Sequence, residues 1–159
     1  MRAFKILWTL VLTITFVACD DKYISSIPDM PVYLTVDLNV HNTFRNSNYK
    51  ALIFERNNAL QAGHAVGFGG ILLYSTFEGN YVAWDLACPY EVDAKVKVEI
   101  EQENDKDFVY HAKCPVCGSR YELMYGLGNP ISGPSKEILR PYKVSRSSTM
   151  SGEILTVYR

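Results

Sequence analysis

The sequence lacks an excess of either charge and lacks an opening hydrophobic run long enough to span a membrane. Its 159 residues include 16 Lys and Arg against 17 Asp and Glu. No basic surplus is available to neutralise phosphates, which excludes a typical nucleic-acid-binding protein. Hydrophobic residues make up 48% of the chain, and that share excludes a disordered protein. The length predicts one domain.

The first 19 residues have the pattern of an export signal. Arg2 and Lys5 precede Ile6–Ala18, an uncharged run of 13 residues, whereas a membrane-spanning helix needs about 20. Phe16-Val17-Ala18-Cys19 resembles the bacterial lipobox, in which the cysteine is lipidated. The resemblance implies a signal peptide over 1–18, a lipid on Cys19 and a membrane anchor in a bacterial cell envelope. An ordinary signal peptide with an incidental cysteine and a retained membrane anchor are the alternatives.

The remainder of the chain has the pattern of an all-β domain. Residues 19–31 are predicted to be a linker, because they are polar and contain Pro28 and Pro31. From Val32 apolar and polar residues alternate up to Val40, which indicates a half-buried strand and a domain over 32–159. Further strands are predicted at Ala51–Glu55, Ile71–Ser75, Tyr81–Asp85, Ala94–Ile100, Phe108–Ala112, Tyr121–Met124, Leu139–Val144 and Glu153–Tyr158. A short helix is predicted at Asn57–Gly63, a hairpin tip over Glu99–Asp107 and a turn over 145–151. Many short strands favour an antiparallel sandwich or barrel.

Two cysteine-containing loops carry the candidate chemistry. Cys88 follows the strand Tyr81–Asp85, and Cys114-Pro115-Val116-Cys117-Gly118 follows another strand. In a Cys-Pro-x-Cys-Gly loop the two sulfurs turn toward one point, and such loops hold zinc or iron. If Cys19 carries lipid, three thiols remain, so they cannot all form internal disulfides.

The second loop and the residues after it resemble the Rieske iron–sulfur family. Residues 114–144 contain Cys-Pro-x-Cys-Gly-Ser-x-Tyr, a glycine-rich stretch and Gly133-Pro134, in the family's order. The resemblance implies a Rieske-like antiparallel β sandwich or barrel with a small cluster-binding subdomain and a [2Fe–2S] cluster. Cys88 and Cys114 match the family's cysteine ligands, whereas Tyr90 and Cys117 stand where its histidines belong. Ser119 and Tyr121 match residues that donate hydrogen bonds to the cluster and to a ligand sulfur.

The missing histidines leave three hypotheses open. A cluster bound by Cys88, Tyr90, Cys114 and Cys117 would carry more negative charge than a Rieske centre, and its potential would be lower. The second hypothesis is a zinc site built on the three cysteines, with His111 or a nearby carboxylate as the fourth ligand. A cluster-free domain with a disulfide from Cys88 to Cys114 or Cys117 is the third. All three describe an electron carrier or a structural module rather than an enzyme, with a redox or protein partner that the sequence does not identify.

Overall fold

The computed structural model describes residues 24–57, 61–102, 108–150 and 152–159. These residues form eleven strands and one four-residue helix, α1 (Asn42–Arg45). The strands are β1 (Val32–Asp37), β2 (Ala51–Phe54), β3 (Ala65–Val66), β4 (Ile71–Ser75), β5 (Tyr81–Asp85), β6 (Glu99–Gln102), β7 (Val109–Lys113), β8 (Arg120–Glu122), β9 (Pro130–Ser132), β10 (Pro141–Thr149) and β11 (Gly152–Tyr158). No helix within these ranges is long and apolar enough to cross a membrane.

The strands form two antiparallel sheets. The larger has the order β2-β4-β5-β10-β11-β1-β3, and the smaller has the order β6-β7-β8-β9. Residues near opposite ends of the larger order, Val36 of β1 and Phe54 of β2, belong to one apolar cluster. The larger sheet therefore curls into a nearly closed barrel. The predicted all-β antiparallel class is confirmed.

Strand β4 connects the two parts of the core. All five of its residues are buried, and successive side chains point to opposite faces of a strand. Ile71 and Leu73 pack inside the barrel, whereas Leu72 and Tyr74 belong to a second cluster, shared with the smaller sheet. Cys88, Cys114 and Tyr121 belong to that second cluster, together with Trp84, Leu86, Val98, Ala112, Leu123 and Leu139. The sequence-predicted site thus lies where the two sheets meet.

Three predicted elements differ from the structure. The predicted strand Ala94–Ile100 is wrong in its first half, because the Lys95 amide donates to the Asp93 carboxylate at 2.8 Å and forms a turn. The predicted turn over 145–151 is also wrong, since β10 continues to Thr149. β1 ends at Asp37, whose carboxylate accepts the Asn39 amide at 2.8 Å, and not at Val40.

Several predictions lie partly or wholly outside the described residues. They concern the signal peptide over 1–18, the lipidated Cys19, residues 58–60 of the helix predicted at Asn57–Gly63 and the end of the hairpin tip, residues 103–107. The described end of that predicted helix, residues 61–63, is a turn, which the His64 amide closes by donating to the Gln61 carbonyl at 3.1 Å.

Candidate metal centre

The first cysteine loop begins beside a buried carboxylate. Asp85, the last residue of β5, is fully buried. Its carboxylate accepts hydrogen bonds from the amides of Phe68, Gly69 and Ala87 at 2.8–2.9 Å and from the Tyr142 hydroxyl at 2.5 Å. A buried carboxylate is stable when its oxygens are satisfied in this way. Because Ala87 precedes Cys88, Asp85 fixes the backbone from which Cys88 projects.

A tight turn between β7 and β8 holds the other two cysteines. The Gly118 amide donates to the Cys114 carbonyl at 3.0 Å, and the Cys114 amide donates to the Ser119 carbonyl at 2.9 Å. Gly118 has a φ of 73°, a conformation that is costly for residues with a Cβ atom. These hydrogen bonds fold the loop back on itself, so that Cys114 and Cys117 project toward the same point.

A third loop, residues 133–139, lies against the second. A Cβ atom added to Gly133 would lie 2.8 Å from the amide nitrogen and from the hydroxyl oxygen of Ser119. The Ser135 amide donates to the Ser119 hydroxyl oxygen at 3.0 Å. Only glycine permits this approach, which buries Ser119 completely and leaves Ser135 4% exposed.

The three loops bring three sulfur atoms together. The Sγ atoms of Cys88, Cys114 and Cys117 all lie within 4.8 Å of one another, and those of Cys88 and Cys117 are 3.7 Å apart. Thiolates about 2.3 Å from a tetrahedral metal lie about 3.8 Å from one another. The sulfur group, hereafter the three-cysteine site, therefore has the spacing of ligands on a single metal ion.

Two hydroxyl groups contact this site. The Tyr121 hydroxyl lies 3.5 Å from Cys88 Sγ, and the Ser119 hydroxyl lies 3.2 Å from Cys117 Sγ. The sequence singled out both residues as donors to the site. Hydrogen bonds to ligand sulfurs reduce their negative charge and so adjust the strength of metal binding.

Two of the thiols have opposite pKa shifts. Burial raises the pKa of Cys114 to about 12. Burial also acts to raise the pKa of Cys117, but hydrogen bonds from the Ser119 hydroxyl and amide outweigh it and hold that pKa below its usual value. Burial, followed by the hydrogen bond with Cys88, raises the pKa of Tyr121. A metal at this site would have to displace a firmly held proton from Cys114 and a weakly held one from Cys117.

The structure bears differently on the three candidates for a fourth ligand, which are His111, a nearby carboxylate and Tyr90. Among the described residues no histidine or carboxylate donor joins the three sulfurs. The prediction of His111 as a zinc ligand is therefore wrong, and no carboxylate among the described residues supplies a fourth ligand. His111 lies on β7, where its Nδ1 atom is 3.5 Å from the Arg120 guanidinium. Tyr90 follows Cys88 by two residues and is 54% exposed, so its oxygen as a ligand stays a prediction.

The donor set does not fit a two-iron Rieske centre. Such a centre needs two histidines on its outer iron, and no histidine lies at the site. Ligands on two different irons sit at opposite ends of the cluster, so their sulfurs are farther apart than those on one ion. Cys117, in an outer-iron position by the resemblance, is instead 3.7 Å from Cys88.

The sequence did not indicate the residues that hold the loops of the site in place. Asp85 and Ser135 are single polar residues next to strands, and no spacing pattern marks them. Ile27 is 1% exposed within a segment that was expected to be linker because it is polar and contains prolines. An isolated apolar residue in a polar segment is the signal that could have indicated the burial of Ile27.

Comparison with known proteins finds only a distant likeness. A solved structure assigned as the NADH-dependent nitrite reductase small subunit of Mycobacterium tuberculosis shares 13% identity with this chain, at a TM-score of 0.42. The alignment covers 82% of this chain and 98% of that one. No family model and no curated protein matches the chain. A likeness at this level establishes neither the fold nor the function. Both therefore rest on the residues of this chain.

Proposed function

We propose that the chain is an envelope lipoprotein whose β domain holds one structural metal ion, zinc, at the three-cysteine site. The observation that carries the proposal is the sulfur spacing, with all three Sγ atoms within 4.8 Å. Cys88 and Cys114 are fully buried, and their loops come from different strands. One ion bound to all three sulfurs would join these loops covalently, which is the role of structural zinc sites.

The fourth zinc ligand would be the Tyr90 oxygen or a water molecule. Structural zinc sites are four-coordinate, and no described histidine or carboxylate completes the set. Zinc has no redox chemistry, so the metal would stabilise the fold and would not carry electrons. Because a preformed site rarely exists in the unfolded chain, the free energy of zinc binding adds to the free energy of unfolding.

Metal analysis of the full-length protein tests this proposal. Protein purified without oxygen should be colourless and contain about one zinc per chain. Urea unfolding with zinc and with a chelator should differ in midpoint, because a ligand that binds the folded state raises stability. Cys114→Ala should abolish that difference. Cys19→Ala, which leaves the three-cysteine site intact, should preserve it. A coloured preparation with two irons per chain would establish the cluster instead, and a metal-free one would contradict both.

A second candidate is a metal-free domain stabilised by a disulfide. The 3.7 Å between Cys88 Sγ and Cys117 Sγ favours it, because a small movement would bring these atoms to the bonding distance of about 2.05 Å. Both thiols are free in the structure. The metal-free outcome above, accompanied by one disulfide and a free Cys114, would support this candidate.

The location is part of the proposal and rests on the lipobox resemblance. Cys19→Ala should move the protein from the membrane to a soluble envelope fraction. Cys88→Ala, which keeps Cys19, should stay with the membrane. Equal membrane partitioning of the wild-type protein and the Cys19→Ala variant would contradict the lipid anchor.

A further inference from the structure

The segment that leads into the domain is bound to the third loop. This strap, residues 25–29, makes three hydrogen bonds to the carboxylate of Glu137. The Ser25 hydroxyl donates at 2.9 Å, the Ser26 amide at 2.7 Å and the Ser26 hydroxyl at 2.5 Å. In addition, Ile27 is buried, and its carbonyl accepts a hydrogen bond from Arg140. The strap is therefore part of the folded domain.

Glu137 connects the strap with the wall of the three-cysteine site. The Ser135 hydroxyl donates to the Glu137 carbonyl at 3.1 Å, and the Ser135 amide donates to the Ser119 hydroxyl oxygen at 3.0 Å. That hydroxyl lies 3.2 Å from Cys117 Sγ. An unbroken series of contacts thus runs from the strap to a candidate metal ligand.

These contacts also set the direction of the Ser119 hydroxyl. A hydroxyl has one donor hydrogen and two acceptor positions. The Ser135 amide occupies one acceptor position, and the Cys117 thiol donates to the hydroxyl oxygen as well. A Cys117 thiolate bound to a metal has no hydrogen to donate, so the Ser119 hydroxyl hydrogen would then point toward Cys117 Sγ. If the third loop moved away, this constraint on the hydroxyl would disappear.

We propose that Glu137 is a positioning residue, through which the strap holds the third loop and the Ser119 hydroxyl against Cys117 and so slows the loss of the bound metal. The proposal rests on the metal site proposed above and concerns the rate at which that site loses its metal. Partners of metal ligands typically change metal affinity about 10–100-fold when they are mutated. Glu137 acts two contacts beyond the ligand's partner Ser119, through Ser135, so we expect the low end of that range.

Zinc release from the full-length, lipidated, zinc-loaded protein to excess chelator tests the proposal. Glu137→Ala should accelerate release about tenfold, and Glu137→Gln, which keeps the shape and an acceptor oxygen, should accelerate it less. Asp29→Asn is the matched control, because it weakens the strap's ion pairs with Arg140 and Arg159 but leaves the Glu137 contacts. It should accelerate zinc release much less than Glu137→Ala does.

A double-mutant cycle separates positioning from general loosening. If Glu137 acts through Ser119, then Glu137→Ala should add no further acceleration in a Ser119→Ala background. Equal acceleration by Glu137→Ala and Asp29→Asn would overturn the proposal, and so would additive effects of Glu137→Ala and Ser119→Ala. Unchanged release by Glu137→Ala would overturn it as well.

Amide hydrogen exchange in the metal-free protein distinguishes this inference from the proposed function. Glu137→Ala should speed exchange at Ser135 and leave the amides of β10 and β11 unchanged. A wild-type protein that binds no zinc would contradict the proposed function, whereas exchange at Ser135 would still report whether Glu137 holds the third loop. Zinc binding with wild-type exchange at Ser135 in the Glu137→Ala variant would retain the function and remove the inference.

Discussion

Cys88 and Cys117 place their sulfur atoms 3.7 Å apart although 29 positions separate them in the chain. Cys88 is fixed by the hydrogen bond from the Ala87 amide to Asp85, and Cys117 lies in a turn closed by the Gly118 amide. Since the backbone on each side is held separately, the short distance is a property of the fold. A single small ion or a single covalent bond can join the two sulfurs.

Mild oxidation of the metal-free protein should join Cys88 to Cys117 and leave Cys114 as a thiol. In the chain-entropy model a loop of this length stabilises the fold by about 3.5 kcal/mol. Peptide mapping without reductant identifies the pair, and urea unfolding measures the gain. Cys117→Ala is the control and should gain nothing. A Cys88–Cys114 bond as the main product would contradict the prediction.

The stability of the metal-free, reduced protein should pass through a maximum near pH 9. The pKa of Cys117 is lowered on folding, so its contribution grows with pH and is complete above the unfolded value of 9.0. Burial raises the pKa of Cys114 from 9.0 to about 12. Between these values the unfolded chain loses a proton that the folded protein keeps, so stability falls as pH rises.

Two variants assign the two sides of this maximum. Urea unfolding across the pH range should show that Cys117→Ala lacks the rise below pH 9. The Cys114→Ala variant should lack the fall in stability that begins near pH 9. It should retain only a fall that begins at higher pH. Burial also raises the pKa values of Tyr121 and Tyr142 above 10.0, which accounts for the later fall. Identical profiles for the wild-type protein and both variants would show that the thiols are not responsible.

Regular strands were predictable from the sequence because their periodicity reports burial. The strands predicted at Ile71–Ser75 and Tyr81–Asp85 match β4 and β5 to the residue, and the hairpin turn between them is also present. β10 was missed beyond Val144 because its polar end forms an exposed ribbon with β11. A strand with no buried face has no alternation from which it could be predicted.

The site was predictable only as far as its motifs extend. The spacing around Cys114 and Cys117 predicted a tight loop, and the structure brings Cys88 to the same point. The partners of the loops were not predictable, because Glu137 meets the strap across 111 and 112 positions of sequence. Such contacts depend on the packing of the whole domain, which a local pattern does not record.

Asp85→Asn should destabilise the protein by about 3 kcal/mol, because the amide group would place a donor against backbone amides that now donate to a carboxylate. It should also weaken zinc binding by releasing Ala87, next to Cys88. Tyr142→Phe removes one hydrogen bond from Asp85 and leaves the Phe68 amide on the same oxygen. We expect Tyr142→Phe to lower the free energy of unfolding by about 1.5 kcal/mol, measured by urea unfolding. Equal effects of the two variants would contradict the role given to the Asp85 carboxylate.

Gly118→Ala and Gly133→Ala should differ sharply, although both glycines have positive φ angles, of 73° and 91°. A Cβ atom at Gly118 meets nothing within 4 Å, whereas one at Gly133 meets the backbone of Ser119. Gly118→Ala should therefore cost only the strain of the left-handed conformation, about 1 kcal/mol.

Gly133→Ala adds an overpacking cost of about 2 kcal/mol to the same strain, and it should push the third loop away from Ser119. We expect it to lower the urea midpoint more than Gly118→Ala and to speed zinc release, while Gly118→Ala leaves release near the wild-type rate. If Gly133→Ala destabilised the fold without changing zinc release, the third loop would have no part in holding the metal. Equal loss of stability in the two variants would show that the loop can retreat from Ser119 without cost.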